Sequence, residues 1–262
     1  MTEFTEATEK IHLSDDKQRV MDLYGGQLNR LERIHYPESG NEDVLLRELL
    51  ARKALGGHVV LVDGAFDVPH PSHEWYLRHC RALAAESSLE QQGIEATDDN
   101  LRYTIASEET VLIVTVDSDA KIAAKKGNNP LKGGSPRPIY PWVARANRIA
   151  GHAFPTYNGA YRPLVDFVTV EGDLDHTDTP FESSLTLAQH LTEQGALDRL
   201  VVYGEHEATI TEAVSRGISP IVIPDTHTYE LNPQTRRPWS SSDIIRRAQG
   251  TLAVEQQITR PF

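Results

Sequence analysis

Two histidines three residues apart, His70 and His73, follow an apolar run in GAFDVPHPSHEWYL at residues 64–77. Pro71, between them, suits the first turn of a helix, where a missing N–H costs nothing. Such a turn leaves backbone N–H groups and the positive end of the helix dipole facing outward, a natural anion site. Spaced three apart, both rings lie on one side of that turn. They could donate to phosphate oxygens and stabilise charge that builds up on a leaving group. A second stretch, residues 117–148, carries seven Lys or Arg against two Asp, a local net charge of +5 in a chain of net −12. A polyphosphate, bringing about four negative charges into a crevice, calls for such an island. In the third, RRPWSSSDIIRRAQ at 236–249, Ser240 is a good N-cap with Asp243 as a weak capping-box partner. Ser241 and Ser242 would then sit in the first helical turn with hydroxyls and N–H groups facing a crevice. Residues 175–185, DHTDTPFESSL, hold several carboxylates and His176 but read as a capped, solvated loop, so no protein-held metal site is expected. No activated Ser or Cys nucleophile stands out, since Cys80 falls in an apolar helical pattern and reads as core.

The elements that must hold these groups follow from five short apolar, β-branched runs: HVVLVD (58–63), VLIVTV (111–116), VDFVTV (165–170), RLVVYG (199–204) and SPIVIP (219–224). Nearly continuous apolarity, rather than alternation, predicts parallel strands covered on both faces. Helical segments are predicted between them, over 71–86, around Trp142–Ala150 with Arg145 and Arg148 on the faces away from the apolar stripe, and over 181–194, 206–216 and 240–249. Alternating strand and helix predicts a Rossmann-like, doubly wound, five-stranded parallel α/β sheet. Ligands of such sheets bind beyond the carboxyl ends of the strands, where GAFDVPHPSH lies.

The expected domain spans 58–250, with an acidic insertion at 87–110 that reads as solvated or as a short extra helix, and a tail at 251–262. Residues 1–57 form an N-terminal helical extension of two amphipathic helices, 14–34 and 41–55, with Ser14 and Asn41 as N-caps. It would pack on the sheet or on a partner subunit, a homodimer being one form. The net charge of −12 argues against a general nucleic-acid binder. The start, MTEFTEATEKIHLSDDK, has no apolar signal-peptide core, and no run approaches the roughly 20 apolar residues of a membrane span. One cysteine cannot form an internal disulfide, so a reducing, cytoplasmic setting is expected, with no membrane partner.

The string at 64–73 resembles the G-x-F-D-x-x-H-x-G-H signature of the cytidylyltransferase-like nucleotidylyltransferases, matching at Gly64, Phe66, Asp67, His70 and His73. It departs at Ser72, where that family has glycine. SDAKIAAKKG…RPI…R resembles the loop of the ADP-heptose synthase and glycerol-3-phosphate cytidylyltransferase group, with best matches at Lys126, Arg137 and Arg145, and with Lys125 or Lys132 as possible substitutes for Lys126. Arg237, Ser240, Ser241, Ser242 and Ile244 resemble the family's C-terminal R-x-x-S-[ST]-[ST]-x-[IL] signature. Gly204 falls where the family has Gly followed closely by Asp, but Glu205 and His206 follow it here.

The resemblance implies transfer of a nucleotidyl group from an NTP, ATP ahead of CTP, to a small phosphorylated sugar or polyol, with release of pyrophosphate. It implies His70, His73, Lys126 and Arg137 as the catalytic groups. Gly64, Ala65, Phe66, Asp67, Ser72, Gly204, Arg237, Ser240, Ser241 and Ser242 would bind the nucleotide, and Asp67 would orient a histidine or reach the metal through water. Mg²⁺ would accompany the triphosphate, bound largely by phosphate oxygens and water. A class I aminoacyl-tRNA synthetase fragment shares the histidine motif, but WSSSDII and the acidic charge speak against it. A non-catalytic nucleotide sensor on the same fold is the other reading, favoured by Ser72 and by the missing Gly–Asp pattern.

Overall fold

The computed structural model describes residues 33–35, 42–68, 70–107, 109–127, 136–155, 161–172, 183–203 and 206–223. The elements are α1 (Glu42–Ala54), β1 (His58–Gly64), α2 (Pro71–Gln92), α3 (Asp98–Ala106), β2 (Thr110–Asp117), α4 (Asp119–Lys126) and α5 (Trp142–Ala150). After them come β3 (Ala153–Pro155), β4 (Tyr161–Pro163), β5 (Phe167–Glu171), α6 (Ser184–Glu193), β6 (Arg199–Tyr203), α7 (Glu207–Ser215) and β7 (Pro220–Ile223). Five strands form one parallel sheet in the order β5-β2-β1-β6-β7, the predicted Rossmann-like α/β fold. From β1 the chain winds outward through β2 and β5, then returns to the other side of β1 for β6 and β7. The direction of winding therefore reverses between β1 and β6, and the crevice beyond their carboxyl ends is where such a fold takes ligands.

The apolar runs are continuous because both faces are covered. Val60 and Val62 point into one core with Leu77, Cys80 and Ala84 of α2 and Ala146 and Ile149 of α5. Val59 and Leu61 point into the other with Leu45 and Leu49 of α1, Leu187 and Leu191 of α6 and Ala213 of α7. Cys80 is fully buried, as its pattern predicted, and burial pushes its thiol far above the ordinary range. Among the described residues no helix is long and apolar enough to cross a membrane.

Several expectations change. The helix predicted over 71–86 runs six residues further, to Gln92, because Ser87, Ser88 and Leu89 keep its inner face buried until Gly93 closes it at φ 68°. The acidic stretch 87–110 thus begins as helix and continues as α3, capped by the Thr97 hydroxyl and packed along α2. At the end of the first predicted N-terminal helix, Ile34 instead pairs with Val168 beside β5, because burying this isoleucine extends the sheet edge. The second N-terminal helix is α1, and it packs on the sheet through Leu45 and Leu49. Residues 119–126, within the basic stretch that resembles a loop, form α4, with Ser118 accepting from Lys121 N–H and Ile122 buried beneath. A hairpin, β3–β4, was not foreseen. Residues 14–32, the N-cap Asn41 and the helix predicted over 240–249 lie outside the described residues.

Candidate functional site

β1 delivers the chain to the crevice at Gly64, and there it turns sharply. Phe66 adopts φ 44°, the left-handed region that a non-glycine residue rarely occupies. This turns its ring back over Gly64, where an added Cβ would lie 2.8 Å from a ring carbon. The ring also stands edge-on to His73, with centroids 5.2 Å apart, and 6.4 Å from Tyr76. Glycine is therefore required at 64 by Phe66 itself. Gly64→Ala is expected to displace that ring and cost about 1–3 kcal/mol, as overpacking does; a urea melt with an unchanged midpoint would show that the ring had room to move.

α2 starts at Pro71 as predicted, with His70 as N-cap; the His70 side chain makes no capping hydrogen bond, and its carbonyl accepts from His73 N–H at 2.9 Å. The His70 and His73 rings stack at 3.7 Å with 28° between their planes. Burial, and then the positive potential of His70, Lys126 and His152, lowers the His73 pKa to about 3, so its ring is neutral near pH 7. Ser72 is buried at 6% exposure, and its hydroxyl has no hydrogen-bond partner among the described residues. Lys126 is half-buried at the end of α4, near enough to His73 to influence its titration.

Asp67 does something other than expected. Its carboxylate pairs with Arg137 Nε and accepts from the backbone N–H of Ile139 at 2.7 Å and of Tyr140 at 3.1 Å. Both oxygens are thereby engaged, and Asp67 ties the β1–α2 turn to residues 137–140. Arg137 is correspondingly buried, at 5% exposure. Arg145 also corrects the reading that placed it away from the core: at 2% exposure it donates to Tyr140 O, to Ala65 O at 2.6 Å and to Asp119 at 2.7 Å. A buried guanidinium with five donors can join three separate segments only by bonding in several directions, and helical periodicity does not register that.

Three carboxylates missed in the sequence sit at the ends of neighbouring strands: Asp63 on β1, Asp117 on β2 and Glu171 on β5, the last two directly in register. Lys121 bridges Asp117 at 2.9 Å and Glu171, while Thr115 donates to Glu171 at 3.0 Å. Burial and then Asp63 push Glu171 up to about 7 against the pull of Lys121. Burial and then Asp117 raise Asp63. Burial would raise Asp117 too, but Lys121 and then Lys125 outweigh it and hold its carboxyl below the ordinary range. The signal was present, since three apolar strands each end in an acid: VVLVD, IVTVD and FVTVE.

The basic island is therefore thinner than its formal charge. Lys121, Arg137 and Arg145 are engaged by Asp117 and Glu171, by Asp67 and by Asp119. Lys125 leans toward Asp117 at 3.6 Å, and Arg148 lies over the Tyr140 ring. The structure brings together Gly64, Ala65, Phe66, Asp67, His70, Ser72, His73 and Arg137, with Lys126 beside them. Lys132, His176, Gly204, Arg237, Ser240, Ser241 and Ser242 lie outside the described residues. Among the described residues, no group of three or more His, Cys, Asp or Glu could hold a metal ion.

The sequence matches no protein-family model and no curated protein. Among solved structures, it is similar to the lipopolysaccharide core biosynthesis protein from Thermoplasma volcanium GSS1, at 17% identity and a TM-score of 0.38, over 67% of this chain and 100% of that one.

Proposed function

We propose that this chain transfers a nucleotidyl group from an NTP to a small phosphorylated acceptor and releases pyrophosphate. The observation that carries this reading is the stacked His70–His73 pair at the N-terminus of α2, beyond the strand where the winding reverses. The positive end of a helix dipole favours an anion, and two imidazoles with ring centroids 3.7 Å apart suit oxygens on successive phosphates. An acceptor phosphate oxygen attacks the α-phosphorus in line as the bond to the bridging oxygen breaks and pyrophosphate departs. A phosphate monoester is already largely ionised at pH 7, so no general base is required; positioning and charge neutralisation supply the rate. His70 and His73 donate to the α- and β-phosphate oxygens, and Lys126 adds charge where the leaving group gathers it. Ser241 and Ser242 hold the departing pyrophosphate.

The described residues do not fit a protein-held Mg²⁺. Asp117 and Glu171 are engaged by Lys121, Asp67 by Arg137 and Asp119 by Arg145, and among the described residues no group of three or more His, Cys, Asp or Glu could hold a metal ion. The substrate is accordingly the Mg²⁺–nucleotide complex, its cation held by phosphate and water, with ATP ahead of CTP and a sugar or polyol phosphate as acceptor.

Arg137 favours a second reading, a nucleotide sensor without turnover, because Asp67 already neutralises its charge. Calorimetric titration with MgATP and MgCTP, followed by a pyrophosphate-release screen of phosphorylated polyols, separates the two. The expected result is selective binding of one nucleotide and acceptor-dependent pyrophosphate. Binding without pyrophosphate supports the sensor, and binding of neither nucleotide overturns both.

A further inference from the structure

A cleft of about 510 Å³ lies at the end of the sheet opposite the histidine pair, lined by Leu83, Glu86, Ser87, Glu90, Arg199 and Ile221. Ser87 Oγ lies 3.0 Å from His58 Nε2, on the first residue of β1. His58 Nδ1 lies 2.7 Å from Gln91 Oε1, and Asp198 Oδ2 stands 3.7 Å from the same nitrogen. An amide oxygen can only accept, and a carboxylate beside Nδ1 favours a proton there, so Nδ1 carries the hydrogen. Nε2 then presents its lone pair to Ser87, whose hydroxyl donates to it. Arg199 Nε donates to the same Oγ at 3.2 Å. Burial, the largest influence, lowers the His58 pKa despite Asp198 and Gln91, so the ring is a neutral base at pH 7.

We propose that Ser87, His58 and Gln91 form a second catalytic centre, separate from the nucleotide crevice, which hydrolyses small carboxylic esters. It has the elements of an activated serine: a nucleophile within reach of a base, and a base held in one tautomer by a third group. Ser87 Oγ attacks the ester carbonyl carbon as its proton passes to His58 Nε2. The tetrahedral adduct collapses with cleavage of the carbonyl–alkoxy bond, and the imidazolium returns the proton to the departing alkoxide. Water then attacks the acyl-serine carbonyl, giving a proton to Nε2; the acyl–Oγ bond breaks, the imidazolium returns that proton to Ser87 Oγ, and the acid leaves. The Arg199 guanidinium, already at Oγ, places positive charge beside the oxyanion. The cleft suits a small ligand, and exposed Glu86 and Glu90 on its wall disfavour anionic esters. No linear motif marks the centre, because Ser87 and Gln91 stand 29 and 33 residues from His58 and meet it only through the packing of α2 along β1.

Incubating the full chain with a fluorophosphonate probe and mapping the adduct by mass spectrometry tests this. The expected result is labelling at Ser87, absent in Ser87→Ala, with a rate that rises with pH as His58 loses its proton. His58→Gln should slow it by about a hundredfold or more. Gln91→Leu changes an exposed helical position that leaves the core intact and should slow it about tenfold. If circular dichroism shows His58→Gln unfolded, Gln91→Leu and the wild-type pH profile decide. An unlabelled Ser87, or labelling that is flat in pH and indifferent to Gln91, overturns the proposal. So does p-nitrophenyl acetate hydrolysis that persists undiminished in Ser87→Ala.

Discussion

His73→Ala is expected to lower nucleotidyl transfer by about 10²–10³ in kcat, the usual cost of removing one donor to developing charge, with the fold intact. The ring packs on Phe66 and His70 but completes no core, so its loss costs about 0.5–1.5 kcal/mol of aromatic contact. Normal turnover in this variant would remove the histidine pair from the mechanism. The pH behaviour provides an independent check. In the free protein His73 titrates at about 3, well below the ordinary 6.5. An unfolded chain therefore takes up this proton first, and His73 lowers stability progressively as the pH falls below about 6.5. Between pH 6.5 and 5 that loss is of order 2 kcal/mol, and it should vanish in His73→Ala. The wild-type urea midpoint should thus fall more steeply over this interval than that of the variant. A bound phosphate reverses the bias by raising the His73 pKa, so the bound state holds more protons than the free one. Nucleotide affinity, measured relative to His73→Ala, should consequently increase as the pH falls from 7 to 5. An affinity ratio constant with pH would mean that His73 does not touch the phosphates.

Parts of this site were legible in the sequence because they are local. The apolar runs fix five parallel strands, Pro71 fixes the start of α2, and the three-residue spacing of His70 and His73 predicts rings on one side of the turn; the structure stacks them. What was misread concerns partners distant in the chain. Asp67 and Arg137 are 70 residues apart, and nothing at either position announces that one will neutralise the other. Their types fit a metal-facing acid and a phosphate-facing cation equally well, and the fold pairs them with each other and buries both. Arg145 was misplaced for a related reason: helical periodicity separates apolar from polar, and a guanidinium that satisfies its donors against Ala65, Asp119 and Tyr140 is polar and buried at once. The serine motif near the C-terminus rests on sequence alone, since its residues lie outside those described.

The Asp67–Arg137 pair yields the largest expected effect on stability. The two side chains are 0% and 1% exposed, so each has given up its hydration for the other. Asp67→Ala would leave the guanidinium buried without its counter-charge and strip Ile139 and Tyr140 N–H of their acceptor. Removing one partner of a buried pair costs about 3–5 kcal/mol, and a urea melt should show a loss of that size. Asp67→Asn keeps an oxygen for the backbone donors but not the charge, so it should fall between alanine and wild type. Arg137→Met added to Asp67→Asn removes the stranded charge, and the double variant should recover part of the loss. Strict additivity of the two single changes would mean that the pair is not coupled. Arg137→Met, alone and in the double variant, also separates two roles of Arg137. If its charge acts on the departing pyrophosphate, Arg137→Met should reduce turnover beyond its effect on stability, and the double variant should stay inactive despite its recovered fold. If it only holds residues 137–140 against the β1–α2 turn, nucleotide binding should return in step with stability, because the loop would again be held in place.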